Sequence, residues 1–208
     1  MLTVGKKNKL VPFVMLALSL CLLLAGGCAR YARSVNTLYE PSATVGGGTG
    51  TLYIVIPENR TTPSADVKWT LGPVKDDDNR KIDEVSSPRS AAEIIQAAFV
   101  REFKRAGYTV IATTSRPADA QQVLDLTKAE IELEQVSDIV DLKARCRVIA
   151  GVDVFKDGQQ LKRLQYEATA SRTDIRDRDL LAGKVLDDAL QSLMQKAVPE
   201  LHGLIASK

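Results

Sequence analysis

Residues 129–148 read AEIELEQVSDIVDLKARCRV, and the alternation in this stretch decides the fold. From Val140 onward Val140, Leu142, Ala144, Cys146 and Val148 face one way, and Asp141, Lys143, Arg145 and Arg147 the other. A period of two is the signature of a half-buried strand. Upstream, Ala129, Ile131 and Leu133 alternate with Glu130, Glu132 and Glu134, which predicts a second such strand. A hairpin turning at Asp138-Ile139 opposes Glu134 to Lys143, Glu132 to Arg145 and Glu130 to Arg147, with Leu133 against Ala144 and Ile131 against Cys146 on the buried face. Slipping the pairing by two residues toward the turn opposes Glu134 to Asp141 and Lys128 to Arg147. At about 0.2–1 kcal/mol per cross-strand pair, three opposite-charge pairs favour the first register. The same pairing neutralises the cationic row, so this face reads as a solvated, salt-paired surface and not as a nucleic-acid site. Cys146 points inward as a small hydrophobe, which argues against redox chemistry.

The elements on either side follow from local signals. The turn KDGQ leads to a strand with Leu164, Tyr166, Ala168 and Ala170 on one face. Matching that face to Val148 and Val152 requires an odd loop or a bulge, for which Gly158 in a left-handed conformation is suited. Ser90 and Glu93 have capping-box spacing, and Ile95, Phe99, Phe103 and Ala106 form one helical stripe, closed by Gly107. YTVIAT (108–113) then reads as a strand, and TLYIVIPE (51–58), apolar on both faces, as a central one. A second helix is expected from about Asp177 to Val198, with Asp177 and Asp179 near its positive end. Its buried stripe is Ala182, Leu186, Ala189, Leu193 and Ala197, and Pro199 should end or kink it. Between 59 and 86, Trp69, Leu71, Val74, Ile82 and Val85 flank DDDNRK, which predicts a small hairpin or ordered loop. A solvated turn is a better account of this stretch than a calcium loop, because Arg80 falls at the fifth position of the loop pattern and the glycine is missing. Strand, helix, four more strands and a closing helix make an α+β two-layer sandwich: a mostly antiparallel sheet of about five strands, with two helices on one face.

At the N-terminus, Lys6, Lys7 and Lys9 precede an apolar run from Leu10 to Leu24, the order of an export signal. The run is shorter than the roughly 20 residues that span a bilayer. Ala25 and Gly27 suit a peptidase cleft and place the cut before Cys28. Residues 22–30, LLLAGGCAR, resemble the lipobox of bacterial lipoproteins, with the usual leucine displaced to Leu24. The resemblance implies that Cys28 is acylated on sulfur and becomes the lipidated N-terminus, and that Ala29, not being aspartate, tilts sorting toward the outer membrane. Ordinary cleavage after Gly27, leaving a free thiol, is the alternative. The expected organisation is a signal peptide at 1–27, a lipidated N-terminus and flexible tether at 28–50, and a single periplasmic domain at 51–208. The tether reading rests on Pro41 and the glycines of RSVNTLYEPSATVGGGTG (33–50), which lack the lysine of a phosphate loop. Removing the signal takes away three lysines and moves the formal charge from +2 to −1, a poor balance for a nucleic-acid binder. Cys146 is then the one thiol besides Cys28, so the chain forms no internal disulfide between unmodified cysteines.

The order of elements, with REFKRAGYTVI (101–111), VLDLTKAEIELEQV (123–136) and FKDGQQLKRLQYEATAS (155–171), resembles the YajG family of bacterial lipoproteins. More loosely it is similar to auxiliary lipoproteins of envelope ABC transport systems and to the lipopolysaccharide-assembly lipoprotein. The resemblance runs from Cys28 almost to the C-terminus and implies an envelope location and no enzymatic assignment. The residues agree. His202 is the single histidine, and no HExxH, GxSxG, CxxC or dinucleotide fingerprint occurs. No catalytic residue, metal ligand or cofactor site is therefore expected. The expected role is a non-catalytic, membrane-anchored binding or adaptor module with an envelope protein as partner, contacted through a sheet edge or through Trp69, unless Trp69 packs in its own core. The rival is a carrier of lipid or a small hydrophobic ligand, or an auxiliary subunit of an envelope transport system, which needs a cavity between sheet and helices.

Overall fold

The computed structural model describes residues 33–137, 142–174 and 178–206. The expected turn at Asp138-Ile139, the signal at 1–27 and Cys28 lie outside the described residues. The fold is α+β, with both helices packed on one face of a single sheet. Its strands are β1 (Arg33–Ser34), β2 (Thr51–Val55), β3 (Trp69–Lys75), β4 (Lys81–Ser87), β5 (Thr109–Thr113), β6 (Gln122–Ser137), β7 (Leu142–Lys156) and β8 (Gln159–Asp174). The helices are α1 (Ala91–Ala106) and α2 (Arg178–Ala206). The sheet thus has eight strands among the described residues, not about five, and it is mixed. β6–β7, β7–β8 and β3–β4 are antiparallel, whereas β2–β5, β2–β6, β3–β6 and β1–β4 are parallel. The β2–β5 pair is parallel because the chain returns to β5 through the β3–β4 hairpin and then α1, and a helical crossover delivers a strand in the same direction.

Local signals for α1 are realised as expected. The Ser90 hydroxyl accepts from the Glu93 amide, the Glu93 carboxylate accepts from the Ser90 amide, and Gly107 closes the helix at φ 110°. Ile95, Phe99 and Phe103 are fully buried, and Ala106 nearly so. β2 lies between β5 and β6, its Leu52 and Ile54 facing the main core. Its other face joins a second cluster of Val55, Ala120 and Val123 with Tyr53 and Phe155, and the Arg116 guanidinium sits 4.1 Å over the Phe155 ring. α2 buries the expected stripe but continues through Pro199 to Ala206. The two extra turns bury Leu201 and Ile205 and set the His202 Nδ1 2.9 Å from the Tyr108 hydroxyl, contacts that offset the hydrogen bond a proline removes.

The β6–β7 register differs from the expected one. Glu132 opposes Arg147, Glu134 opposes Arg145, Leu133 opposes Cys146 and Ile131 opposes Val148, a slip of two residues away from the turn. None of the three expected pairs forms, but Glu132 and Glu134 each face an arginine in the new register, and Glu130, now opposite Ile149, pairs with Lys128 at 3.3 Å. Arg147 takes two carboxylates, Glu132 at 3.3 Å and Glu167 of β8 at 2.7 Å. The slip sets larger apolar residues against each other on the core side, and exposed ion pairs of a few tenths of a kcal/mol do not outweigh that. An even slip leaves every residue on its face, so the buried set is as expected. Cysteines introduced at 132 and 147 should therefore form a disulfide on mild oxidation, whereas the pair 132 and 145 should stay reduced. Non-reducing electrophoresis of the two double variants distinguishes the registers.

Parity along β6 changes at Thr127. Leu124 and Leu126 face the core before it, Ala129, Ile131 and Leu133 after it, because the ladder shifts between Leu126 and Lys128. Gly151 opposite admits this bulge, since a β-carbon there would stand 2.8 Å from that of Lys128. The β7–β8 turn is the two-residue Asp157-Gly158, both at positive φ, and a second ladder shift at Val154/Phe155 brings Leu164, Tyr166, Ala168 and Ala170 opposite Val152, Ala150, Val148 and Cys146. That is the bulge the face-matching argument required.

The expected tether is also corrected. Val35, Tyr39 and Ala43 are buried in the main core, and β1 pairs with β4. Arg89, Arg101 and Arg105 of the α1 region donate to the carbonyls of Thr37, Tyr39 and Pro41. The Glu102 carboxylate, 2% exposed, accepts from the Tyr39 hydroxyl, from the Ser42 amide at 2.7 Å and from the Ala43 amide at 3.1 Å. In the glycine cluster Gly46 and Gly47 have open space around them, but Gly48 is packed: a β-carbon there would stand 2.2 Å from the Tyr108 ring. Gly48 serves close approach of backbone to side chain.

Candidate functional site

β7 occupies one edge of β6 over its whole length, so β2 and β3 share the other edge. β2 pairs with Gln122–Asp125 and β3 with Gln135–Val136, and among the described residues the stretch between them has no strand partner on that side. The sheet forks there. At the β3 branch lies a groove of about 430 Å³, lined by Leu71, Gly72, Pro73, Lys75, Glu132, Leu133, Glu134, Arg145 and Arg147. Gly72 permits the branch to come this close, because a β-carbon there would fall 1.9 Å from the Leu133 carbonyl oxygen.

The groove carries balanced charge. Lys75 pairs with Glu134, and Arg147 is held by Glu167 and Glu132, which raise its affinity for the proton still further above the usual guanidinium range. Hydrogen bonding from Arg147 correspondingly holds the Glu167 carboxyl below its ordinary value. Arg145 is exposed and opposes Glu134 across the ladder. Such a surface offers apolar floor, backbone and both signs of charge, which suits an extended polypeptide better than a nucleic acid.

Trp69, the expected partner contact, begins β3 at the far end of the same hairpin. It is half-buried, and its indole N–H donates to the Thr62 hydroxyl at 3.0 Å. That hydroxyl donates in turn to the capping carboxylate of Glu93, which also accepts from the Thr62 amide at 2.9 Å. Trp69 is thus fastened to the start of α1, with part of the ring facing outward. The loop Asp76–Arg80 is tied by the Arg80 amide and guanidinium donating to Asp76, at 2.8 and 2.9 Å, and behaves as a salt-paired turn.

The groups with intrinsic chemistry have structural employment. Burial pushes the Cys146 thiol up to about 12, so it stays a protonated hydrophobe at neutral pH. His202 hydrogen-bonds Tyr108 and meets its ring edge-on. On the other face Asp153, 5% exposed, accepts two hydrogen bonds of 2.7 Å from Arg163. Asp125 lies directly opposite, and burial, then the Asp153 charge, raises its carboxyl above the ordinary range.

No family model matches the chain, and no curated protein does. Solved structures do. The chain is similar to a Xanthomonas campestris protein of the family DUF330, with 11% identity over 84% of this chain and 96% of that one and a TM-score of 0.45. It is similar to an uncharacterised protein at 8% identity, covering 84% and 99% of the two chains with a TM-score of 0.40. It is also similar to a minor lipoprotein of Acinetobacter baumannii at 11% identity, covering 74% and 90% with a TM-score of 0.37. Among the described residues no helix is long and apolar enough to cross a membrane.

The fork was not legible in advance, because nothing in a single strand's pattern reveals that two others share its edge. Its one sequence signal is Gly72 inside an otherwise apolar run, the mark of a close backbone approach.

Proposed function

We propose that this protein is a non-catalytic lipoprotein of the bacterial cell envelope, anchored through Cys28, whose domain binds an envelope protein. The observation that carries the reading is the order of a lysine-rich start, a fifteen-residue apolar run from Leu10 to Leu24, small residues and Cys28. A YajG-like identity is part of the proposal, as is an outer-membrane position facing the periplasm, supported by Ala29 in place of aspartate. The forked edge of β6 and the outward part of Trp69 are the binding surfaces. The carrier reading has less support, since Leu52, Ile54, Phe99, Phe103, Leu186 and Leu193 fill the space between sheet and helices.

Mass spectrometry of the mature N-terminus tests the anchor. Acylated Cys28 is expected, and Cys28→Ala should move the protein from a detergent-requiring membrane fraction to a soluble or unprocessed one. A photo-crosslinking residue at Trp69 or Arg145 in intact cells should capture an envelope protein, and capture at neither position removes the fork as the interface.

A further inference from the structure

Among the described residues, five large hydrophobic side chains are exposed, and the two most exposed are Leu38 at 69% and Leu180 at 57%. Leu180 lines a groove of about 410 Å³ with residues 34–37, Gly183, Lys184 and Asp187. Leu38 lines a second groove with Thr37, Arg89 and Arg101. Thr37 is common to both grooves and lies three residues beyond β1.

Arg33, the first residue of β1, is five residues from Cys28. Fully extended, that interval reaches at most about 18 Å. A domain of this size has a radius of gyration of roughly 16 Å, so a lipidated Cys28 keeps β1 within about one domain radius of the bilayer and turns the surface around β1 toward it. That surface holds the two most exposed leucines. Arg89 and Arg101 flank Leu38, and Lys184 lies beside Leu180. Apolar tips among cations are the composition of an interfacial contact with anionic lipid. Among the described residues, the acidic groups on this side are exposed Glu40, Asp187 in the groove beside Leu180, and Asp188, which is paired with Arg172.

We propose that the surface formed by residues 34–38 and the first turns of α2 rests in the headgroup region of the membrane that holds Cys28, with Leu38 and Leu180 inserted. This deepens the lipoprotein reading and rests on it. The strap at 34–50 is packed on the domain and adds no length to the interval between Cys28 and Arg33.

The test uses the full chain, matured in cells, purified in detergent and reconstituted into vesicles of phosphatidylethanolamine and phosphatidylglycerol. An environment-sensitive fluorophore is attached at Leu38→Cys, at Leu180→Cys and, as a reference, at Leu161→Cys on β8, which is 44% exposed. Cys146 is buried and does not compete for label. The expected result is a blue shift and loss of fluorescence to lipid-borne nitroxide at positions 38 and 180, with water-like emission at 161. Water-like emission at 38 and 180, or equal quenching at all three, with mass spectrometry showing acylated Cys28, overturns this inference and leaves the lipid anchor standing. An unmodified Cys28 overturns both.

Discussion

Replacing Glu102 by alanine should lower the stability of the domain by about 3–5 kcal/mol and free the strap at residues 34–50. Glu102 lies on the buried side of α1, and its carboxylate is the acceptor for the Tyr39 hydroxyl and the Ser42 and Ala43 amides. Without it, two backbone donors lose their partner, each at a cost of about 1–3 kcal/mol, and the Tyr39 hydroxyl is left with the Ser42 hydroxyl alone, at 3.3 Å. Tyr39→Phe removes one donor with its hydrogen bond and leaves the amides satisfied, so it should cost only about 1 kcal/mol. Urea midpoints measure both. Limited proteolysis separates local from global loss, with new cleavage expected between residues 35 and 45 in Glu102→Ala. The Tyr39 hydroxyl gives a further readout. Burial, then its bond to Glu102, raises its pKa, so folding contributes stability that is complete below the ordinary tyrosine value of about 10 and is lost as pH rises beyond it. The wild type should thus weaken more steeply in alkali than Tyr39→Phe.

What could be read from the sequence was whatever local chemistry determines. The Ser90–Glu93 box, the Gly107 stop, the stripe through Phe99 and Phe103 and the alternation in β7 each depend on residues within a few positions, and each stands in the structure. The need for a bulge between β7 and β8 followed from parity alone. Register did not, because the charge pairs that favoured the expected hairpin are worth less than the apolar pairs, and because Lys75 of β3 and Glu167 of β8 bring further charges to the same face. The strap was misread for a related reason. Pro41 and three glycines are compatible with a linker, but Val35, Tyr39 and Ala43 among them are not solvated residues. A carboxylate on the buried side of α1 was the available signal: Glu102 falls between Phe99 and Phe103, and a buried charge demands donors from elsewhere in the chain. Trp69 was placed on the right hairpin, whereas the fork beside it depends on which strands share an edge, a property of the whole sheet.

Gly72→Ala should be the most damaging single-carbon change at the fork. A β-carbon at this position would lie 1.9 Å from the Leu133 carbonyl oxygen and 2.7 Å from its carbon, and both are backbone atoms of β6. No rotamer can relieve that contact, so either β3 withdraws or β6 bends. β6 is held along its other edge by the full length of β7, so β3 is the strand that moves. Its ladder with β6 is only two residues long, Val74 to Gln135 and Lys75 to Val136, and gives little resistance. The expected result is a loss of about 3 kcal/mol, at the upper end of the cost of overpacking, together with faster hydrogen exchange at the Gln135 and Val136 amides. Gly203→Ala is the control. It sits in α2 with open space around its α-carbon, so the same added methyl should raise stability by about 0.5–1 kcal/mol through helix propensity. Because Gly72 lines the groove, the substitution also bears on function. If the fork receives an envelope partner, Gly72→Ala should abolish crosslinking from Arg145 while the protein remains membrane-bound, since the anchor and the strap lie on other elements. Unchanged capture in a variant that has lost the β3–β6 protection would place the partner elsewhere on the domain.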